Sequence, residues 1–145
     1  GEYAYGINEL NSTITCFSDN DNNGSLNEIQ TVSTLPDDFD GSNSCADIHI
    51  SPSGDFLYGS NRGHNSIVWY SINKTTGKLT LNSFESTRGE TPRNFSLDPS
   101  GNYLLVANQN TNTIVSFKID SKSGRLNFTN HILDVPAPVC IQFLN

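Results

Sequence analysis

The chain has 145 residues, carries a formal net charge of −7 and is only 16% charged. That length suits one domain, and the acidic balance excludes the broad basic footprint of a nucleic-acid-binding surface. No apolar stretch approaches the ~20 residues of a membrane-spanning helix, so neither a membrane nor nucleic acid is expected as a partner.

Apolar residues alternate with polar ones or form short runs between turn residues, never at helical spacing, so each element reads as a strand. Residues 1–34 hold three strands, followed by a loop from Leu35 to Ser44 whose Asp37, Asp38 and Asp40 read as solvated rather than cation-binding. Residues 46–84 hold four strands, A to D. Ile48 and Ile50 lie on A, and Ser51 to Gly54 make a turn in which Pro52 fixes φ. Phe56 to Tyr58 form B, Asn61 to Asn65 a second turn, and Ile67 to Ile72 a C strand of β-branched and aromatic residues. Strand D, Lys78 to Phe84, follows a Thr-Gly turn.

Residues 93–132 repeat this pattern. Pro52 matches Pro99, Gly54 matches Gly101, Asn61 matches Asn108, Tyr70 matches Phe117, and Gly77 matches Gly124, every pair 47 apart. The opening stretch fits the same unit at an offset of 53: Asn8 with Asn61, Ile14 with Ile67, Gly24 with Gly77. On that offset Gly1 falls on Gly54, so the chain starts at strand B of a unit. Residues 137–143 match one further A strand.

A period in the forties built only of strands marks a β-propeller blade. The fold class is therefore all-β: a partial β-propeller of about three blades over residues 1–145, with strands B to D in 1–34. Complete blades fall at 46–84 and 93–132, with a closing strand A at 137–143, twelve strands in all. We expect that closing strand to pair with missing N-terminal blades of the same parent chain, the C-terminus being natural and the N-terminus truncated. An open arc exposes strand edges and apolar faces, so this segment alone is expected to be oligomeric or unstable. Cys16, Cys45 and Cys140 lack metal spacing and read as buried structural thiols in a reducing, cytoplasmic compartment.

In a four-stranded antiparallel blade the A–B and C–D turns share one rim, and the B–C and D–A connections share the other. All four lysines lie in or beside C–D turns, whereas Arg62, Arg88 and Arg93 lie in B–C or D–A connections with Glu9, His64, Glu90 and Gln109. Arginine suits bidentate capture of a carboxylate or phosphate, so the B–C/D–A rim is the expected binding face. The three B–C turns each begin with Asn (Asn8, Asn61, Asn108), a turn residue, but continue with Glu9, Arg62 or Gln109. Glu9, Arg62 and His64 are the candidate catalytic residues. Arg93, Gln109 and His49 are the candidate substrate-binding residues, His49 also fitting an inter-blade hydrogen bond.

The runs SPSGDFLYGSNRGHNSI, GETPRNFSLDPSGNYLLVANQNTNTIVSFKID, INELNSTI and VPAPVCIQFL resemble the lactonase-type seven-bladed propellers. That family includes propeller-type 6-phosphogluconolactonase and carboxy-cis,cis-muconate cyclase. The resemblance implies a C-terminal part of such a protein, with Glu9 of NEL and Arg62 of SNRGH at the channel mouth and a His and further Arg residues upstream. Opening a lactone needs a base for water and a positive group for the developing oxyanion, roles that Glu9, His64 and the arginines fit. The expected substrate is a small anionic lactone, with no metal and no cofactor. A muconate-type cycloisomerase and a non-catalytic interaction module remain as alternatives.

Overall fold

The computed structural model describes residues 2–20 and 24–144, which form three antiparallel sheets without a helix. The first contains β1 (Tyr3–Asn8), β2 (Thr13–Asn20) and β3 (Ser25–Ser33). The second contains β4 (Ser44–Ile50), β5 (Phe56–Arg62), β6 (Ser66–Ile72) and β7 (Leu79–Ser86). The third contains β8 (Pro92–Leu97), β9 (Tyr103–Asn108), β10 (Thr113–Ile119) and β11 (Leu126–Asp134). Strands pair in chain order in each sheet, which makes each sheet a meander and hence a blade.

Side chains alternate across a strand, so each blade presents one apolar set to the blade before it and another to the blade after. Leu57, Val68 and Tyr70 of the second blade pack on Ile14 and Cys16 of the first. The opposite parity, Phe56, Tyr58, Ile67 and Trp69, packs on Phe95, Leu104, Val106 and Phe117 of the third. Burial of such side chains contributes roughly 1.5–3 kcal/mol each, the main force holding the blades together.

The same polar fasteners recur at the repeat offsets. Tyr5 Oη donates to the Gly77 carbonyl at 2.9 Å, and its equivalent Tyr58 donates to the Gly124 carbonyl at 2.9 Å. Both glycines have φ near +70° and lie so close to Tyr3 and Phe56 that a Cβ would come within 2.2 and 2.6 Å. These C–D turns therefore require Gly twice over, for backbone conformation and for room. Gln30 and the Leu79 main chain bond reciprocally, at 2.7 and 3.1 Å, adding a further stitch between β3 and β7.

Among the described residues eleven strands form, not twelve. Residues 137–143 make no strand, because a ladder needs a neighbouring strand and none stands beside them among the described residues. Their position nonetheless follows the repeat: the Ile141 amide donates to Asn94 Oδ1 at 2.7 Å, as Phe95 N donates to Asp47 Oδ2 at 3.1 Å one unit earlier. Cys16 and Cys45 are buried free thiols as expected, but Cys140, in this unpaired stretch, is exposed.

Candidate active site

The B strands end in Asn for a structural reason. Asn61 Nδ2 donates to the Thr34 carbonyl at 2.7 Å and to Ser66 Oγ at 3.2 Å, and Asn108 Nδ2 donates to the Thr87 carbonyl at 2.9 Å. Thr34 and Thr87 are themselves repeat equivalents, and both are fully buried. Each Asn thus ties its B–C turn to the D–A connection entering the same blade, and the residue after it is carried to the rim. In the first two blades that residue is Glu9 or Arg62.

These two meet. Arg62 Nη2 donates to Glu9 Oε1 and, at 2.8 Å, to the Cys45 carbonyl. The Arg62 side chain is 17% exposed and Glu9 is 61% exposed, so the guanidinium is sunk while the carboxylate stands at the mouth. Arg62 Nε is buried without a hydrogen-bond partner. An unsatisfied buried donor of a charged group costs about 1–3 kcal/mol or more, which an anionic acceptor would remove.

Arg93 lines the same cavity, of about 340 Å³, together with Ile7, Glu9, Cys45, Ala46 and Arg62. Its side chain is exposed and has no hydrogen-bond or ion-pair partner among the described residues. Arg93 is the extra residue of a β-bulge between Pro92 and Asn94, a device that re-aims one side chain out of the pleat. Two guanidiniums and one carboxylate therefore converge, with hydrogen-bonding capacity left over on both cations.

The remaining candidates are not brought to this cavity. His64 lies half-buried outside that lining: its Nδ1 lies 2.7 Å from Ser66 Oγ and its ring packs edge-on against Phe39 and Phe84. Burial among these groups pushes its pKa below 6.5, while Asp38 opposes the shift. It has no contact with Glu9 or Arg62, so the catalytic role expected of it has no geometric basis here. His49 bonds Asp47 Oδ2 at 3.0 Å, stacks edge-on with Phe95 and borders a separate groove with Pro52, Pro99 and Phe143. That hydrogen bond stays within β4, and the contact His49 makes across to the next blade is the Phe95 ring rather than the inter-blade hydrogen bond expected; it lies outside the lining of the Glu9–Arg62 cavity. Gln109 sits on the expected rim, where its amide donates to the Thr91 carbonyl, but it lies outside the lining.

Three lining residues escaped the sequence reading: Ile7, Cys45 and Ala46. Cys45 contributes its carbonyl, while its thiol is buried against Thr34 Oγ1 and Asn61 Oδ1 and burial pushes its pKa up, so it is no nucleophile. Ala46 is the repeat equivalent of Arg93, and a small residue in one copy facing a large cation in the next was the available signal. Among the described residues no His, Cys, Asp or Glu cluster has metal-ligand geometry.

Comparisons with known proteins bear on the family to which the chain belongs. Residues 1–143 match the family described as Lactonase, 7-bladed beta-propeller. The chain is 38% identical over 144 residues to the 6-phosphogluconolactonase of Bacillus subtilis, covering 99% of this chain and 41% of that protein. It is 50% identical over 101 residues to that of Formosa agariphila, covering 68% of this chain and 28% of the relative. The periplasmic gluconolactonase of Pseudomonas aeruginosa superposes with a TM-score of 0.95 at 32% identity, over 100% of this chain and 40% of that one. The chain thus spans less than half the length of these relatives. It belongs to the lactonase family of seven-bladed β-propellers.

Proposed function

We propose that the full-length protein hydrolyses a sugar lactone that carries an anionic group, with 6-phosphogluconolactone as the first candidate. The reading rests on one observation above all: Glu9 and Arg62 form an ion pair beside an unpartnered Arg93 in one cavity. Glu9 is an acceptor, suited to take a proton from water as the water oxygen bonds to the lactone carbonyl carbon. The carbonyl oxygen becomes an oxyanion, which the sunken Arg62 guanidinium stabilises through donors that Glu9 and Cys45 leave free. Collapse breaks the bond to the ring oxygen, which takes the proton back from Glu9 and leaves as a hydroxyl, giving the open-chain acid, which then loses its carboxyl proton to water. Arg93, at the mouth, holds the substrate's own anionic group.

The test is steady-state hydrolysis of 6-phosphogluconolactone by the full-length protein and its Glu9→Gln and Arg62→Ala variants. Each variant should lose about a hundredfold in rate or more, the usual scale for a general base or an oxyanion donor. Normal rates in both would overturn the assignment. Cyclisation of a carboxymuconate without lactone hydrolysis would transfer the site to cycloisomerase chemistry.

A further inference from the structure

The unpartnered Arg93 is held with unusual care. Before it, the Thr91 amide donates to Asn65 Oδ1 at 3.0 Å, Thr91 itself has φ +59°, and Pro92 is buried with its φ fixed. After it, Asn94 Nδ2 donates to Asp47 Oδ2 at 2.6 Å, and the Phe95 amide donates to the same oxygen at 3.1 Å. Asp47 belongs to the neighbouring blade. Its Oδ2 also receives His49 Nε2 at 3.0 Å, its Oδ1 receives the Ile48 amide at 2.9 Å, and its own amide donates to Ser60 Oγ at 3.0 Å. One carboxylate therefore clamps the backbone and side chain of the two residues that follow Arg93, across the gap between blades.

The clamp coincides with two bulges. Register shifts fall between Cys45 and Ile48 on β4 and between Pro92 and Asn94 on β8. Asp47 lies within the first, Arg93 within the second, and the cavity wall of Cys45 and Ala46 immediately precedes Asp47. The distance from that wall to the Arg93 stem is set by the Asp47–Asn94–Phe95 bonds. A bulged cation clamped on both sides, yet given no partner of its own, is placed for a ligand.

We propose that Asp47 is a positioning residue for Arg93, setting the span between the two guanidiniums and so the anionic group the site accepts. This rests on the lactone-hydrolase reading for its substrate but not for its geometry. Without Asp47 the Asn94 amide and the Phe95 N–H lose their common acceptor, the strand beyond the bulge loosens from β4, and Arg93 is no longer held at a fixed distance from Arg62.

The experiment is a double-mutant cycle in the full-length protein with Asp47→Ala, Arg93→Ala and the pair, assayed on phosphorylated and unphosphorylated lactone. Thermal unfolding is followed in parallel. Asp47→Ala should raise KM for the phosphorylated lactone about tenfold with kcat changed less than about twofold, and should add nothing further in the Arg93→Ala background. Asp47→Asn, which keeps one acceptor oxygen for the Phe95 amide, should restore part of the loss and serves if the alanine variant fails to fold. Equal losses with and without Arg93, a fall in kcat alone, or no change in KM would each overturn the proposal. If the wild type opens neither lactone, the functional reading fails and the cycle is read instead by calorimetric titration with inorganic phosphate. The same non-additivity between positions 47 and 93 is then required.

Discussion

The two ends of the strand pair β4 and β8 are built from the same repeat but are finished differently. His49 lies four residues beyond Cys45, about 13 Å along the strand. At the His49 end the two described A–B turns supply their own acceptors. Ser51 Oγ accepts the Phe56 amide, Asp98 accepts the amides of Ser100 and Tyr103, and Lys74 pairs with Asp55 at 2.7 Å. At the Cys45 end, among the described residues, Arg62 Nε is left unsatisfied and Arg93 is left without a hydrogen-bond or ion-pair partner. Closed turns are scaffold, because their polar groups already have what they need. Open donors on fixed cations mark the end that waits for a ligand.

Substitutions at the two ends should therefore separate rate from stability. The largest effect belongs to the open end, where Glu9→Gln and Arg62→Ala remove chemistry and each hundredfold corresponds to about 2.7 kcal/mol of barrier. At the closed end Asp98→Ala should destabilise the fold by about 1 kcal/mol while leaving kcat/KM within about twofold, as urea unfolding and kinetics on one preparation would show.

Acid should act at the closed end in the same way. Burial alone would raise the Asp98 carboxyl, but hydrogen bonds from Ser100, Tyr103 and Asn102 outweigh it and hold its pKa below the ordinary 3.8. A depressed folded value means that folding favours the carboxylate. Its stabilisation is complete above about 3.8 and fades as pH falls through the lower folded value, and Asp98→Ala should lack that portion of the acid limb.

The smallest effect is expected of His64→Ala. The imidazole sits at the active end but faces Phe39 and Phe84, so the rate should stay within about twofold while stability falls by about 1 kcal/mol for the lost ring contacts and the Ser66 bond. A tenfold rate loss would return His64 to the chemistry and erase the contrast between residues that share a rim and residues that share a cavity.

Much of this architecture was readable because a blade repeats its contacts as well as its residues. Gly77 and Gly124 recur because each must sit at positive φ beneath an aromatic ring of the preceding blade, whereas Gly24, in the first described blade, has φ +67° with nothing within 4 Å. Asn61 and Asn108 recur because each ties down the same buried connection. Glu9, Arg62 and Arg93 stood out as charged variation on that constant frame. Where the reading failed, direction was at stake rather than location. A turn position does not say which way His64 faces, since Phe39, far away in the Leu35–Ser44 loop, decides it. The bulge between Cys45 and Ile48 interrupts the two-residue alternation of β4, so position along the strand does not say which way His49 faces. Residues 137–143 carried a strand's pattern without a strand's neighbour.

The central claim is that the Cys45 end of β4 and β8, and not the His49 end, recognises an anionic sugar acid. A crystal structure of the full-length protein soaked with 6-phosphogluconate tests it directly. The account predicts product oxygens within about 3.2 Å of the Arg62 and Arg93 guanidiniums, with Glu9 beside the carboxylate formed on ring opening. Product bound in the groove of His49, Pro52 and Pro99, or bound with both arginines untouched, would contradict it.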